Sequence, residues 1–128
     1  MDSLFEAALR VRANAHAPYS NFQVGAALED EDGRIHTGCN VENSTYGLTM
    51  CAERVAVFKA ISEGARKFRR IAIATGSEKL TPPCGACRQI LWEFCGDIEI
   101  TLVNPAGHTG TLRLSEIFPN PFDDSFLR

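Results

Sequence analysis

Ile71-Ala72-Ile73-Ala74-Thr75, then Pro82-Pro83-Cys84-Gly85-Ala86-Cys87-Arg88-Gln89-Ile90-Leu91-Trp92-Glu93-Phe94, then Ile98-Glu99-Ile100-Thr101-Leu102-Val103: this stretch decides the fold. The first run is short, continuous and rich in β-formers, which suits a central strand covered on both faces. Pro82-Pro83 pre-sets the start of a helix from about Cys84 to Phe94, with its end near Gly96. Ile98 to Val103 reads as a second buried strand, Asn104-Pro105-Ala106-Gly107 as a turn, and Thr111 to Leu114 as an edge strand.

Outward from this unit, the periodicity predicts four more segments. Leu4, Phe5, Ala8, Leu9 and Val11 recur at helical spacing from Ser3 to about Ala15, before Pro18. Phe22, Val24, Ala26 and Leu28 alternate with smaller or polar residues. Asp30-Glu31-Asp32-Gly33 turns the chain, and Arg34 to Cys39 returns as the second strand of a hairpin. Asn40 to Met50 is a loop. Cys51 to Glu63 is a helix apolar over most of its circumference, hence buried, and Gly64 stops it. Ser115 to Phe118 makes one helical turn before a Pro-rich tail. No linker, repeat or low-complexity segment divides the chain, so residues 1–128 are expected to form one α/β domain, with helices on both faces of a mixed sheet of about five strands in a three-layer α-β-α sandwich.

Composition narrows the function. The 128 residues carry 13 Lys+Arg against 16 Asp+Glu, a net charge of −3, with 45% hydrophobic residues. Disorder, collagen and coiled coil are excluded. A mildly acidic chain without a basic run lacks the electrostatic footprint that grips phosphate backbones, so no nucleic-acid partner is expected. No apolar stretch approaches the roughly 20 residues that cross a bilayer, and Met-Asp-Ser-Leu-Phe-Glu has no basic segment before an apolar one. A cytoplasmic protein with no membrane partner is the expectation. Five cysteines, Cys39, Cys51, Cys84, Cys87 and Cys95, then argue against a disulfide framework.

Two segments carry the chemistry: Cys51-Ala52-Glu53-Arg54 and Cys84-Gly85-Ala86-Cys87-Arg88. A CxxC brings two thiolates within reach of one metal ion. A third cysteine from another helix gives zinc three protein ligands and an open position, as catalytic zinc requires. Zinc in that state lowers the pKa of bound water toward about 7. Glu53 lies two residues from Cys51, and on a regular helix the two side chains diverge by about 200°. Both face one metal only if Cys51 sits in the first, non-repetitive turn. Both segments open helices, whose N-termini favour thiolates. Three thiolates on Zn²⁺ still sum to −1, and Arg54 and Arg88 are candidates to offset that charge. A redox CxxC, or a closed structural zinc site with Cys39 or Cys95 as fourth ligand, is the alternative on these residues. Cys39 and Cys95 otherwise read as core or partly exposed thiols, and His16, His36 and His108 as ordinary histidines.

Cys-Ala-Glu-Arg followed by Pro-Cys-Gly-Ala-Cys-Arg-Gln resembles the zinc-dependent cytidine deaminases, in particular their short, homotetrameric class. The likeness extends to residues 17–27 (Ala-Pro-Tyr-Ser-Asn-Phe-Gln-Val-Gly-Ala-Ala) and to Asn40-Val41-Glu42-Asn43. It implies one zinc per chain on Cys51, Cys84 and Cys87, with Glu53 as proton shuttle. It also implies a substrate site of Phe22 against the pyrimidine, Asn40 and Glu42 on the ribose hydroxyls, Ala52 beside them, and a tail aromatic, Phe122, reaching a neighbouring subunit. The implied activity is hydrolytic deamination of cytidine and 2′-deoxycytidine to the uridines with release of ammonia, in pyrimidine salvage. A related deaminase of modified nucleosides or nucleoside antibiotics, or a non-catalytic zinc-binding module, is the alternative.

Overall fold

The computed structural model describes residues 1–128. In chain order the elements are α1 (Ser3–Arg12), β1 (Val24–Asp30), β2 (Ile35–Cys39), α2 (Ala52–Ser62), β3 (Phe68–Thr75), α3 (Gly85–Cys95), β4 (Glu99–Val103), β5 (Thr109–Arg113) and α4 (Leu114–Ile117), with 3₁₀ turns at Tyr46–Leu48 and Asp124–Leu127. One sheet runs β2-β1-β3-β4-β5. Its single parallel pair is β3 with β4, Ile71 opposite Ile100 and Ile73 opposite Leu102, and the other pairs are antiparallel. Helix α3 is the connection that a parallel pair demands.

The two faces are covered unequally. On one, α2 and α3 bury Ala52, Ala56, Val57, Ala60 and Leu91 against Ala26, Leu28, Ile71, Ile73 and Ile100. On the other, α1 alone sets Leu4 and Ala8 against Ala27, Ala72, Ala74 and Val103. Each fully buried Leu or Ile contributes about 1.5–3 kcal/mol. Asp2 caps α1 by accepting from the Leu4 N–H at 2.9 Å, and Arg70 pairs with the same Asp2 at 2.7 Å. Gly38 sets the height of α2 over the sheet. A Cβ there would meet the Ala52 carbonyl oxygen and the Ala56 nitrogen, each at 2.5 Å, so no larger residue lets this helix lie so close.

Several boundaries differ from the sequence reading, each for a physical reason. Helix α1 stops at Arg12, before Ala15, and the chain passes through turns to Asn21, which is left-handed at φ 57°. Strand β1 begins at Val24, which leaves Phe22 outside the ladder. The second side of β1 is not solvated: Gly25 and Ala27 are buried, because α1 packs over them. Helix α2 is not wholly enclosed, since Phe58 is exposed and meets the exposed Phe94 of α3 edge to face at 6.1 Å. His36 is a core histidine, held by Asp30 at 2.8 Å and Glu63 at 3.3 Å. That contact holds the Asp30 carboxyl below its ordinary range.

Candidate active site

Cys51 and Cys84 occupy equivalent positions, as the extended N-cap residues of α2 and α3, and neither side chain caps its helix. Cys87 lies one turn into α3 and is buried. The three sulfur atoms all lie within 4.8 Å of one another. Three thiolates on a tetrahedron with Zn–S of about 2.3 Å stand roughly 3.8 Å apart, so this donor set fits one zinc ion with a fourth position open. Because Cys51 precedes the helical repeat, Glu53 is free to share its side of the helix, which resolves the 200° problem.

Arg54 Nη2 donates to Cys51 Sγ at 3.3 Å, while its Nε is buried without a hydrogen-bond partner. A guanidinium aimed at sulfur, with its buried Nε unpartnered, fits a site whose resident charge is negative. Hydrogen bonding from Cys87 and then the Arg54 guanidinium hold the Cys51 thiol well below its ordinary range against the opposing effect of burial, and the same contact with Cys51 pushes Cys87 up. Glu53 is 5% exposed. Its carboxyl is raised, first by burial and further by the nearby Cys51 charge. A carboxyl biased toward its protonated form beside a metal site is suited to both taking and giving a proton.

These groups open on one cavity of about 290 Å³. Of the residues singled out in the sequence, Cys51, Cys84, Glu53, Ala52, Phe22, Asn40 and Glu42 line it. Sequence reasoning had missed Ser20, Thr49, Thr75 and Thr81, which line it as well. Thr75 and Thr81 face each other at 3.3 Å between their hydroxyls. The signal for Ser20 was available, since it lies inside the motif of residues 17–27.

Two of the residues singled out, Arg88 and Phe122, lie outside this cavity. Arg88 does not address a ligand sulfur: its Nε donates to the Pro83 carbonyl at 2.8 Å and its Nη1 to the Ile117 carbonyl at 2.6 Å. It follows Cys87 directly, and one residue along a helix is a turn of about 100° away from the metal side. Phe122 is 55% exposed and stacks on Phe126 at 5.6 Å, outside the cavity of its own chain. Gln89 holds the Phe122 carbonyl at 2.7 Å, which fixes the tail along α3.

Residues 1–102 match the model of the cytidine and deoxycytidylate deaminase zinc-binding region. The chain belongs to that family. It is similar to a cytidine deaminase of Sporosarcina psychrophila, 44% identical over 99% of this chain and 94% of the relative. It is also similar to one of Halalkalibacterium halodurans, 47% identical over 93% of this chain and 91% of the relative. Among solved structures, the cytidine deaminase of Burkholderia pseudomallei superposes with a TM-score of 0.91, at 43% identity over 95% of this chain and 100% of the other. The five-stranded mixed sheet between helical layers is thus the fold of this deaminase family, and the three-cysteine group is consistent with one zinc ion per chain.

Proposed function

We propose that the chain is a zinc-dependent hydrolase that converts cytidine and 2′-deoxycytidine to uridine and 2′-deoxyuridine with release of ammonia, serving pyrimidine salvage. The observation that carries this reading is one cavity where the Cys51 and Cys84 thiols, a buried Glu53, the Phe22 ring and the Asn40 and Glu42 side chains meet. Cys51, Cys84 and Cys87 would hold a zinc ion, which would supply Lewis-acid activation of water at neutral pH.

Glu53 takes a proton from that water and delivers it to ring N3 while the water oxygen attacks C4. It then passes the second proton to the departing amino group, so the water's atoms end as the uridine carbonyl oxygen, the proton on N3 and the third proton of ammonia. Burial keeps Glu53 away from bulk solvent during both transfers. Phe22 packs on the pyrimidine beside Ala52, and Asn40 and Glu42 take the sugar hydroxyls. A carboxylate accepts from hydroxyls but repels a phosphate set in their place. Free nucleosides therefore react far better than single-stranded oligonucleotides. Ammonia release from cytidine and from a deoxycytidine-containing oligonucleotide tests this, and comparable kcat/KM for the two would overturn it.

The reading includes assembly. Residues 1–128 act as one domain in a homotetramer, with Phe122 of each chain completing a neighbour's cavity. The exposed Phe58–Phe94 pair and the exposed Phe122, Phe126 and Leu127 support this, since aromatic and aliphatic groups of this size gain from a partner surface. Light scattering of the active enzyme should give four chains, and a monomer mass would refute the arrangement. A cytoplasmic location suits a chain that needs its thiols reduced, and no helix is long and apolar enough to cross a membrane.

A further inference from the structure

Glu42 and Asn40 are already hydrogen-bonded within the chain, and to the same segment. Glu42 Oε1 accepts the N–H groups of Tyr19 at 2.9 Å and Ser20 at 3.1 Å. Its Oε2 accepts the Ser20 hydroxyl. Ser20 Oγ in turn accepts the Phe22 N–H at 3.0 Å. Asn40 Oδ1 accepts the Val24 N–H and its Nδ2 donates to the Phe22 carbonyl, both at 2.8 Å. Residues 19–24 thus form a strap along the cavity, tied by Asn40 and Glu42, two of the side chains that line it.

The count of acceptor positions gives this arrangement a consequence. An ionised carboxylate offers about four. The strap occupies three of those on Glu42, and the Ser20 hydroxyl is the leading reason its carboxyl lies below the ordinary range. One position is left for a ligand. The two backbone donors both hold Oε1, so without the Ser20 hydroxyl the carboxylate pivots about that atom and Oε2 loses its direction. We infer that Ser20 is the positioning residue that sets sugar discrimination: its hydroxyl fixes Glu42 Oε2 so that the one remaining acceptor meets a sugar hydroxyl. This rests on the assignment of Glu42 to the sugar hydroxyls under the proposed function.

Ser20 also touches the Phe22 backbone, and the test separates that contact from its action on Glu42. The kcat/KM values of the parent, Ser20→Ala and Ser20→Thr are measured on cytidine and on 2′,3′-dideoxycytidine, with inhibition by uridine and 2′,3′-dideoxyuridine as a readout independent of turnover. A support for Phe22 or for the fold acts equally on both sugars and cancels in their ratio. Ser20→Ala should lose about 10- to 100-fold on cytidine, the range for a hydrogen bond to a charged group, mostly in KM. It should lose under about threefold on the dideoxy substrate. Ser20→Thr keeps the hydroxyl and should restore the ratio. Equal losses on both substrates, or no loss on either, would overturn the inference. A parent enzyme that does not distinguish the two sugars would instead overturn the sugar-site reading of Glu42, and the inference with it.

Discussion

Helices α2 and α3 begin alike and do different work. Each starts from a cysteine in extended backbone at its N-cap, and each carries an arginine within its first turn or just beyond. The position three residues past the N-cap, 300° around the helix, faces back toward that cysteine. In α2 this position is Arg54, which donates to Cys51 Sγ. In α3 it is Cys87, the third sulfur of the cluster. Arg88, one residue later, is rotated off the metal side and ties the Pro83 and Ile117 carbonyls together. The difference teaches that adjacency in sequence to a ligand is not adjacency to the metal. One helix contributes a thiol, a buried carboxyl and a guanidinium, and the other contributes two thiols and an anchor for α4 and the tail.

The largest effect is expected from breaking α3 at its ligand. Cys84→Ala should lose zinc and essentially all turnover, measured as metal per chain beside activity. Zinc retained at unchanged affinity would mean another ligand set. Next comes Glu53→Gln, which breaks α2 at its proton carrier. It should keep about one zinc per chain and lower kcat by at least about 10²-fold, and near-normal turnover would remove Glu53 from the reaction.

Arg54→Gln sharpens the comparison. It removes a cation beside a centre of three thiolates and one Zn²⁺, which sums to −1. A more negative centre holds its proton more tightly, so the rising limb of the kcat/KM profile should move to higher pH and activity at neutral pH should fall about 10- to 100-fold. The full profile at matched zinc occupancy checks this. An unchanged limb would assign charge compensation to the helix dipoles. The smallest catalytic effect belongs to Arg88→Gln. Loss of a cation between two carbonyls should cost about 1.5–3 kcal/mol of stability in denaturant unfolding, with the limb in its parental place. A shift of that limb equal to the Arg54 variant's would erase the distinction between the two helices.

What was legible in the sequence was local. The spacing Cys84 to Cys87 and the step from Cys51 to Glu53 are settled within one helical turn each, and the continuous runs of β3 and β4 announce strands buried on both faces. What was not legible depends on partners distant in the chain. Gly25 and Ala27 are buried because α1 folds over them. Ser20 takes its place from Glu42, 22 residues on. Arg88 bonds the Ile117 carbonyl, which is 29 residues away. Phe122 lies outside the cavity of its own chain and stacks on Phe126.

Zinc-dependent deamination is tested most directly by a titration of activity against zinc. Enzyme purified without chelator is divided, part-stripped to graded metal contents, and assayed for loss of cytidine absorbance and for ammonia. Activity should rise in proportion to zinc up to one ion per chain, with one ammonia released for every uridine formed. Full zinc occupancy with no ammonia, or turnover that survives removal of the metal, would contradict it.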